Sequence, residues 1–130
     1  MIVDASVVLA VYFKEQDAQQ LARLMINAES LYMAAPSYLE LCMVAASKRG
    51  AQAVEDIEAQ LTLWGVEIIA FDQNAAKLSV QAFLRYGKGQ GHPAQLNFGD
   101  CIAYAISKTE GMPLLFKGED FVHTDVERML

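Results

Sequence analysis

The sequence predicts an α/β fold with a short, mostly parallel central sheet and helices on both of its faces. Two observations carry this. Short apolar runs alternate with longer stretches whose apolar residues recur at helical spacing, the pattern of βαβ units around a parallel sheet. No repeat, low-complexity stretch or Pro/Gly/Ser-rich linker interrupts the 130 residues, so one domain spanning residues 1–130 is expected.

The elements follow in order. Ile2 and Val3 begin a short buried strand. Asp4 or Ser6 can cap a helix running to about Phe13, because a short oxygen-bearing side chain satisfies amide N–H groups that have no partner inside the helix. Asp17 to Ala28 carries Leu21, Ala22, Leu24, Met25 and Ala28 at helical spacing, and Leu31 to Ala34 reads as a second strand ended by Pro36. A helix from Pro36 to Arg49 has Pro in its first turn and Gly50 just past its end. Ala51 to Trp64 is a further helix stopped by Gly65, Val66 to Ala70 a third strand, and Asp72 starts a helix reaching about Tyr86. Gly87, Gly89, Gly91 and Pro93 make Gly87 to Asn97 a loop. Asp100 enters a helix ending near Gly111, Pro113 to Phe116 is a fourth strand, and Phe121 to Leu130 is a polar tail with room for one short strand.

Composition narrows the class. The two cysteines, Cys42 and Cys101, fall in apolar helical patterns where a free thiol acts as a small hydrophobe, which favours a reduced, cytoplasmic setting. Met1-Ile2-Val3-Asp4 lacks the cationic start of a signal peptide, and the longest apolar run, Ala5 to Phe13, is too short to span a bilayer. A cytoplasmic protein without membrane contact is expected. Ten Lys and Arg against sixteen Asp and Glu give a net charge of −6, which argues against a surface that coats nucleic acid through broad phosphate neutralisation. It does not exclude a nuclease. The basic residues are grouped, as Lys48-Arg49, Arg85 with Lys88, and Lys108 to Lys117.

Four acids stand beside or inside apolar stretches: Asp4, Glu40, Asp100 and Asp120. A carboxylate taken out of water without a partner shifts its pKa or seeks a cation, so several placed in this way point to a shared positive partner, most simply a divalent metal. Ligands of parallel sheets gather at the carboxyl ends of the strands. Asp4 directly follows strand one, Asp120 follows strand four, Glu40 lies early in the helix after strand two, and Asp100 opens the helix before strand four. Singly, Asp4 and Asp100 also read as helix caps and Asp120 as a turn residue. Glu40 has no basic neighbour at Pro36 or Val44 to pair with it. His92 and His123 lack a second ligand at metal spacing, and the Gly87 to Gly91 run lacks the strand and helix that a phosphate cradle requires.

Asp4-Ala5-Ser6 after an amino-terminal strand, Glu40 in the third helix, Asn97-Phe98-Gly99-Asp100-Cys101 at a late helix, and Leu114 to Phe121 together resemble the PIN domain, specifically the VapC-type toxins of bacterial toxin-antitoxin pairs. The match runs in order along essentially the whole chain. The resemblance implies a three-layer α/β/α PIN-like domain that cuts RNA with Mg2+ or Mn2+, is held inactive by a cognate antitoxin, and forms a homodimer. It implies Asp4 and Asp100 as metal ligands, Glu40 as the third acid, Asp120 as the fourth and Ser6 as a small polar support. Phe116 and Gly118 depart from the pattern of many relatives, which leaves the fourth acid open between Asp120 and Glu119. The competing expectations are a catalytically silent PIN-like binding module and a DNA-directed metal nuclease. An antitoxin helix is expected on the apolar amino-terminal half, including Val7, Val8, Val11, Tyr12 and Phe13, with an Arg reaching the carboxylates.

Overall fold

Alternation of side chains along the strands sorts the core into two layers. In the computed structural model, which describes residues 1–129, the order is β1 (Ile2–Val3), α1 (Ala5–Tyr12), α2 (Ala18–Asn27), β2 (Leu31–Ala34), α3 (Ala35–Arg49), α4 (Gln52–Trp64), β3 (Val66–Ile69), α5 (Gln73–Tyr86), α6 (Phe98–Glu110) and β4 (Leu114–Leu115). Leu130, the end of the expected tail, lies outside the described residues. Val3, Leu31, Met33 and Leu115 point to one face, where they pack with α1, α2, α3 and α4 through Val7, Leu21, Met25, Leu41 and Ile57. Ile2, Ala34 and Leu114 point to the other, against α5 and α6 through Ala82, Tyr86, Ile102 and Ile106. Helix layer, sheet and helix layer make the three-layer α/β/α architecture.

All pairings are parallel and the sheet order is β3-β2-β1-β4. The chain steps from β1 to β2 to β3 in one direction, then crosses back so that β4 lies on the other side of β1. That reversal opens a crevice beyond the carboxyl ends of β1 and β4, the place where α/β sheets take ligands. Although β1 has only two residues, it is firmly placed. Ile2 N–H donates to Pro113 O at 2.9 Å, Asp4 N–H to Leu115 O at 2.9 Å, and Tyr32 N–H to Met1 O at 3.0 Å. Burial of Ile2 and Val3 adds roughly 1.5–3 kcal/mol for each side chain.

Three expectations are corrected. The sheet is not covered on both faces throughout, because β3 is an edge strand that leaves Glu67 and Ile68 exposed. The late helix opens at Phe98 rather than at Asp100, since Asn97 supplies its cap. Val7 and Val8 are core residues, so a partner on the amino-terminal half meets only Val11, Tyr12 and Phe13, which are partly buried. No helix among the described residues is long and apolar enough to cross a membrane.

Candidate active site

Asp4 is the first residue beyond β1 and is only 8% exposed. Its Oδ2 accepts from Ser6 N–H at 3.1 Å, so the residue caps α1 while its carboxylate faces the crevice. Ser6 is a junction. Its Oγ accepts from Lys117 N–H at 3.0 Å, and its hydroxyl hydrogen-bonds Asp4, which ties the segment after β4 to the acid after β1. That segment is anchored further by Phe121, which is fully buried and packs edge-on against Phe116 at 4.8 Å. Asp120, exposed, immediately precedes this anchor.

Asp100 is 7% exposed and occupies the third position of α6. Asn97 Oδ1 accepts from Asp100 N–H at 2.9 Å, while Asp100 Oδ2 accepts from Asn97 N–H at 3.0 Å, a reciprocal capping box. Capping and site membership are therefore compatible, because the cap fixes the rotamer of the carboxyl group that faces its fellow acids. Glu40 comes from α3. The residue as a whole is exposed, yet its carboxylate lies against the backbone of Gly99, so close that a Cβ at that position would fall 2.6 Å from Oε2 and 2.7 Å from Oε1. Gly99 is the reason that α3 can bring an acid up to the start of α6.

The charges of these acids reach one another across the four segments. Burial raises the Asp4 carboxyl pKa despite the hydrogen bonds from Ser6, and the charge of Asp120 adds to the rise. Asp100 is pushed up to about 7, first by burial, then by the charges of Asp120 and Asp4 and a hydrogen bond to Asp120, against the lowering effect of Asn97 N–H. Glu40 is raised by local burial of its carboxylate and by the charge of Asp4. Of the two neighbouring acids left open by the sequence, Asp120 is the one whose charge contributes to the rise at both Asp4 and Asp100.

None of the four acids has a cationic partner among the described residues. The ion pairs there join Asp125 to Arg85 and Lys108, and Lys117 to Glu15 and Asp17 at 2.8 and 3.1 Å. Nor do three His, Cys, Asp or Glu side chains among the described residues stand close enough to form a ready coordination shell. The carboxylates share one another's field without closing on a point. The histidines lie apart from this centre: His92 Nδ1 accepts from Ala94 N–H at 3.1 Å and its ring packs on Tyr86, whereas His123 is exposed. Sequence reasoning did not identify the roles of Asn97 and Gly99. The Asn97-x-x-Asp100 spacing is a visible capping signal, but the need for glycine at 99 appears only when α3 and α6 are brought together.

A parallel four-stranded sheet between helix layers, with acids gathered at its switch point, defines a class of α/β proteins built to treat a highly charged ligand at one edge. A family model described as PIN domain matches residues 1–127. The chain is 38% identical over 126 residues to ribonuclease VapC42 of Mycobacterium tuberculosis, covering 97% of this chain and 96% of the relative. It is 39% identical over 135 residues to ribonuclease VapC28 of the same organism, covering 100% and 98%. Among solved structures it is similar to VapC20 of Mycobacterium tuberculosis, described as a sarcin-ricin loop cleaving toxin, with a TM-score of 0.78 at 13% identity over 96% of this chain and 95% of that one. It is also similar to VapBC2 from Rickettsia felis bound to a promoter DNA fragment, with a TM-score of 0.73 at 14% identity over 98% and 94%. The chain belongs to the PIN domain family, in its VapC branch.

Proposed function

We propose that this chain is a metal-dependent endoribonuclease, the toxin of a type II toxin-antitoxin pair, and that it hydrolyses RNA phosphodiester bonds at Asp4, Glu40, Asp100 and Asp120. One observation carries the reading: carboxylates from four chain segments stand at the sheet's switch point, burial and neighbouring charge raise the pKa values of Asp4, Glu40 and Asp100, and no cation among the described residues pairs with any of the four. The relatives named ribonuclease VapC support RNA as the substrate.

The donor set fits a hard divalent cation. It is all oxygen and contains no thiolate or imidazole, as suits Mg2+ or Mn2+. Asp4 and Asp100, whose orientations are fixed by Ser6 and Asn97, are the residues that would hold it. Such an ion, when bound, offsets charge on the phosphoryl oxygens and makes a nearby water easier to deprotonate. Glu40 would orient the attacking water and accept its proton at Oε1 or Oε2. Asp120, exposed, holds outer water. Residues 1–130 act in this reading as one domain.

Two protein partners complete the proposal. A cognate antitoxin supplies a cationic side chain to the acids and silences the site; similar solved structures include a toxin-antitoxin complex from Klebsiella pneumoniae and VapBC2 from Rickettsia felis. A second copy of this chain covers the face made by α5 and the start of α6, where Phe98 is 82% exposed and stands with Val80 and Phe83 around a cavity of about 570 Å³. The cavity lining carries no charged residue, so an isologous contact between two copies buries apolar surface without stranding an ion.

The test is incubation of the purified chain with RNA and with single- and double-stranded DNA, each with Mg2+ and with excess chelator. RNA cleavage that requires the metal supports the reading. Cleavage confined to DNA, or absent throughout, overturns it.

A further inference from the structure

Beside the acidic centre lies a second feature of opposite sign. A cleft of about 560 Å³ has Ser6, Phe13, Glu15, Lys48, Lys117 and Gly118 among its lining residues. Ser6 and Gly118 place one end of it at the acids, since they stand two residues from Asp4 and Asp120. Along α3, Glu40, Val44 and Lys48 follow one another at intervals of four, so they share one face, and Lys48 stands about 12 Å from Glu40 along the helix axis.

Away from the acids the cleft carries two lysines, Lys48 and Lys117, and one acid, Glu15, in a protein of net charge −6. Lys117 is already engaged by Glu15 and Asp17. Lys48 and Arg49 are different: both are exposed, and neither has a carboxylate partner among the described residues. Aromatic rings hold them instead. Lys48 Nζ lies 5.0 Å from the centre of Phe13, and Arg49 Cζ lies 4.7 Å from Phe13 and 5.0 Å from Tyr12. Tyr12 and Phe13 meet edge to face at 5.2 Å, so the platform is itself braced, and Tyr12 donates to Asp56 Oδ2 at 3.0 Å. Two cations are thus fixed on rings near an anionic hydrolytic centre, with their charge unspent.

We propose that Tyr12, Phe13, Lys48 and Arg49 form the docking site for the single-stranded RNA that flanks the scissile phosphate, with Lys48 on a backbone phosphate and a base stacked on the outer face of the Arg49 guanidinium. This rests on the ribonuclease reading of the acidic site and adds a path for the strand. The chemistry suits it. Single-strand sites pair a positive groove with planar side chains on which bases stack, and a guanidinium plane serves as well as a ring. Lys48 and Arg49, which no carboxylate among the described residues neutralises, attract a polyanion to this platform, which favours the nucleic acid as its occupant.

The experiment measures binding apart from cleavage. A labelled single-stranded RNA is titrated into the Asp4→Asn protein by fluorescence anisotropy, with and without Lys48→Glu or Arg49→Glu, over a range of salt. Either charge reversal is expected to weaken binding at least about tenfold, and each lost phosphate contact lowers the salt slope by about 0.7. Arg49→Lys separates stacking from charge: it should keep the slope and lose at least about fivefold in affinity. In the otherwise wild-type enzyme, Lys48→Glu should raise KM and leave kcat within about twofold. Unchanged RNA affinity in both charge reversals overturns the proposal, as does loss of antitoxin inhibition with RNA binding intact, which would make the platform a protein surface. If wild type cleaves no RNA yet binding still depends on Lys48 and Arg49, the hydrolytic reading fails and the docking site stands.

Discussion

The Glu40 carboxylate occupies the space that a side chain at Gly99 would enter, with 2.6 Å between Oε2 and the position of a Cβ. Gly99 is helical and its φ is not positive, so alanine is compatible with the backbone and favoured in a helix by up to about 1 kcal/mol. Gly99→Ala should therefore keep or raise the melting temperature, because the obstructed atoms are the end of a flexible side chain. Cleavage should fall on the order of 100-fold as Glu40 is displaced. Equal activity in the variant, measured beside its thermal unfolding, would show that the position of Glu40 is irrelevant.

Ser6 links two parts of the site that are distant in sequence. Ser6→Ala removes the acceptor of Lys117 N–H and a donor to Asp4. We predict a stability loss of about 1 kcal/mol, together with a fall in cleavage larger than that loss explains, because Asp4 loses its orientation. Ser6→Thr should restore much of both. Denaturant unfolding and initial rates on the three proteins decide this.

The raised pKa of Asp100 makes a signed prediction for the metal-free protein. A carboxyl with a folded pKa of about 7, against an ordinary value of 3.8, is protonated more readily in the folded state. Its contribution to stability is full below the unfolded value and is lost as pH rises through about 7. Cooling the charge by lowering pH from 7.5 to 5.5 in chelator should therefore stabilise the fold by about 2 kcal/mol from this group. Asp100→Asn should flatten that rise. Thermal melts of both proteins at the two pH values test it; parallel curves would place Asp100 outside a crowded acid cluster.

Phe98 is the first residue of α6 and 82% exposed, an unusual position for so large an apolar side chain. Phe98→Asp places an acid in the first turn of a helix, where the dipole tolerates it, so the fold should survive. The wild type is expected to sediment as a dimer and the variant as a monomer. Monomeric wild type at tens of micromolar would remove the α5 and α6 face from consideration.

Much of this arrangement was legible before folding because it depends on local signals. The apolar runs placed the strands within a residue or so of β1 to β4, and Pro36, Gly50, Gly65 and Gly111 marked helix limits. The acids stood out because each interrupted an apolar stretch. What escaped was whatever depends on distant segments meeting. The exposed edge of β3 follows from sheet order, which no single strand declares. Val7 and Val8 looked like partner surface until the sheet covered them. The start of α6 was missed for a different reason: Asn97 and Asp100 are both good capping residues, and their reciprocal bonds make Asn97 the cap and Asp100 its partner.

In the proposed mechanism, four carboxylates become one hydrolytic site by holding a divalent cation. Its most direct measurement is the cleavage rate of a defined labelled RNA by the wild type, Asp4→Asn and Asp100→Asn, in Mg2+ and in excess chelator, with unchanged circular dichroism confirming the fold. Cleavage by the wild type is expected only with metal, with a loss of at least about 100-fold in each variant. Full cleavage in chelator, or full activity in both variants, would contradict it and leave Asp4 and Asp100 as helix caps alone.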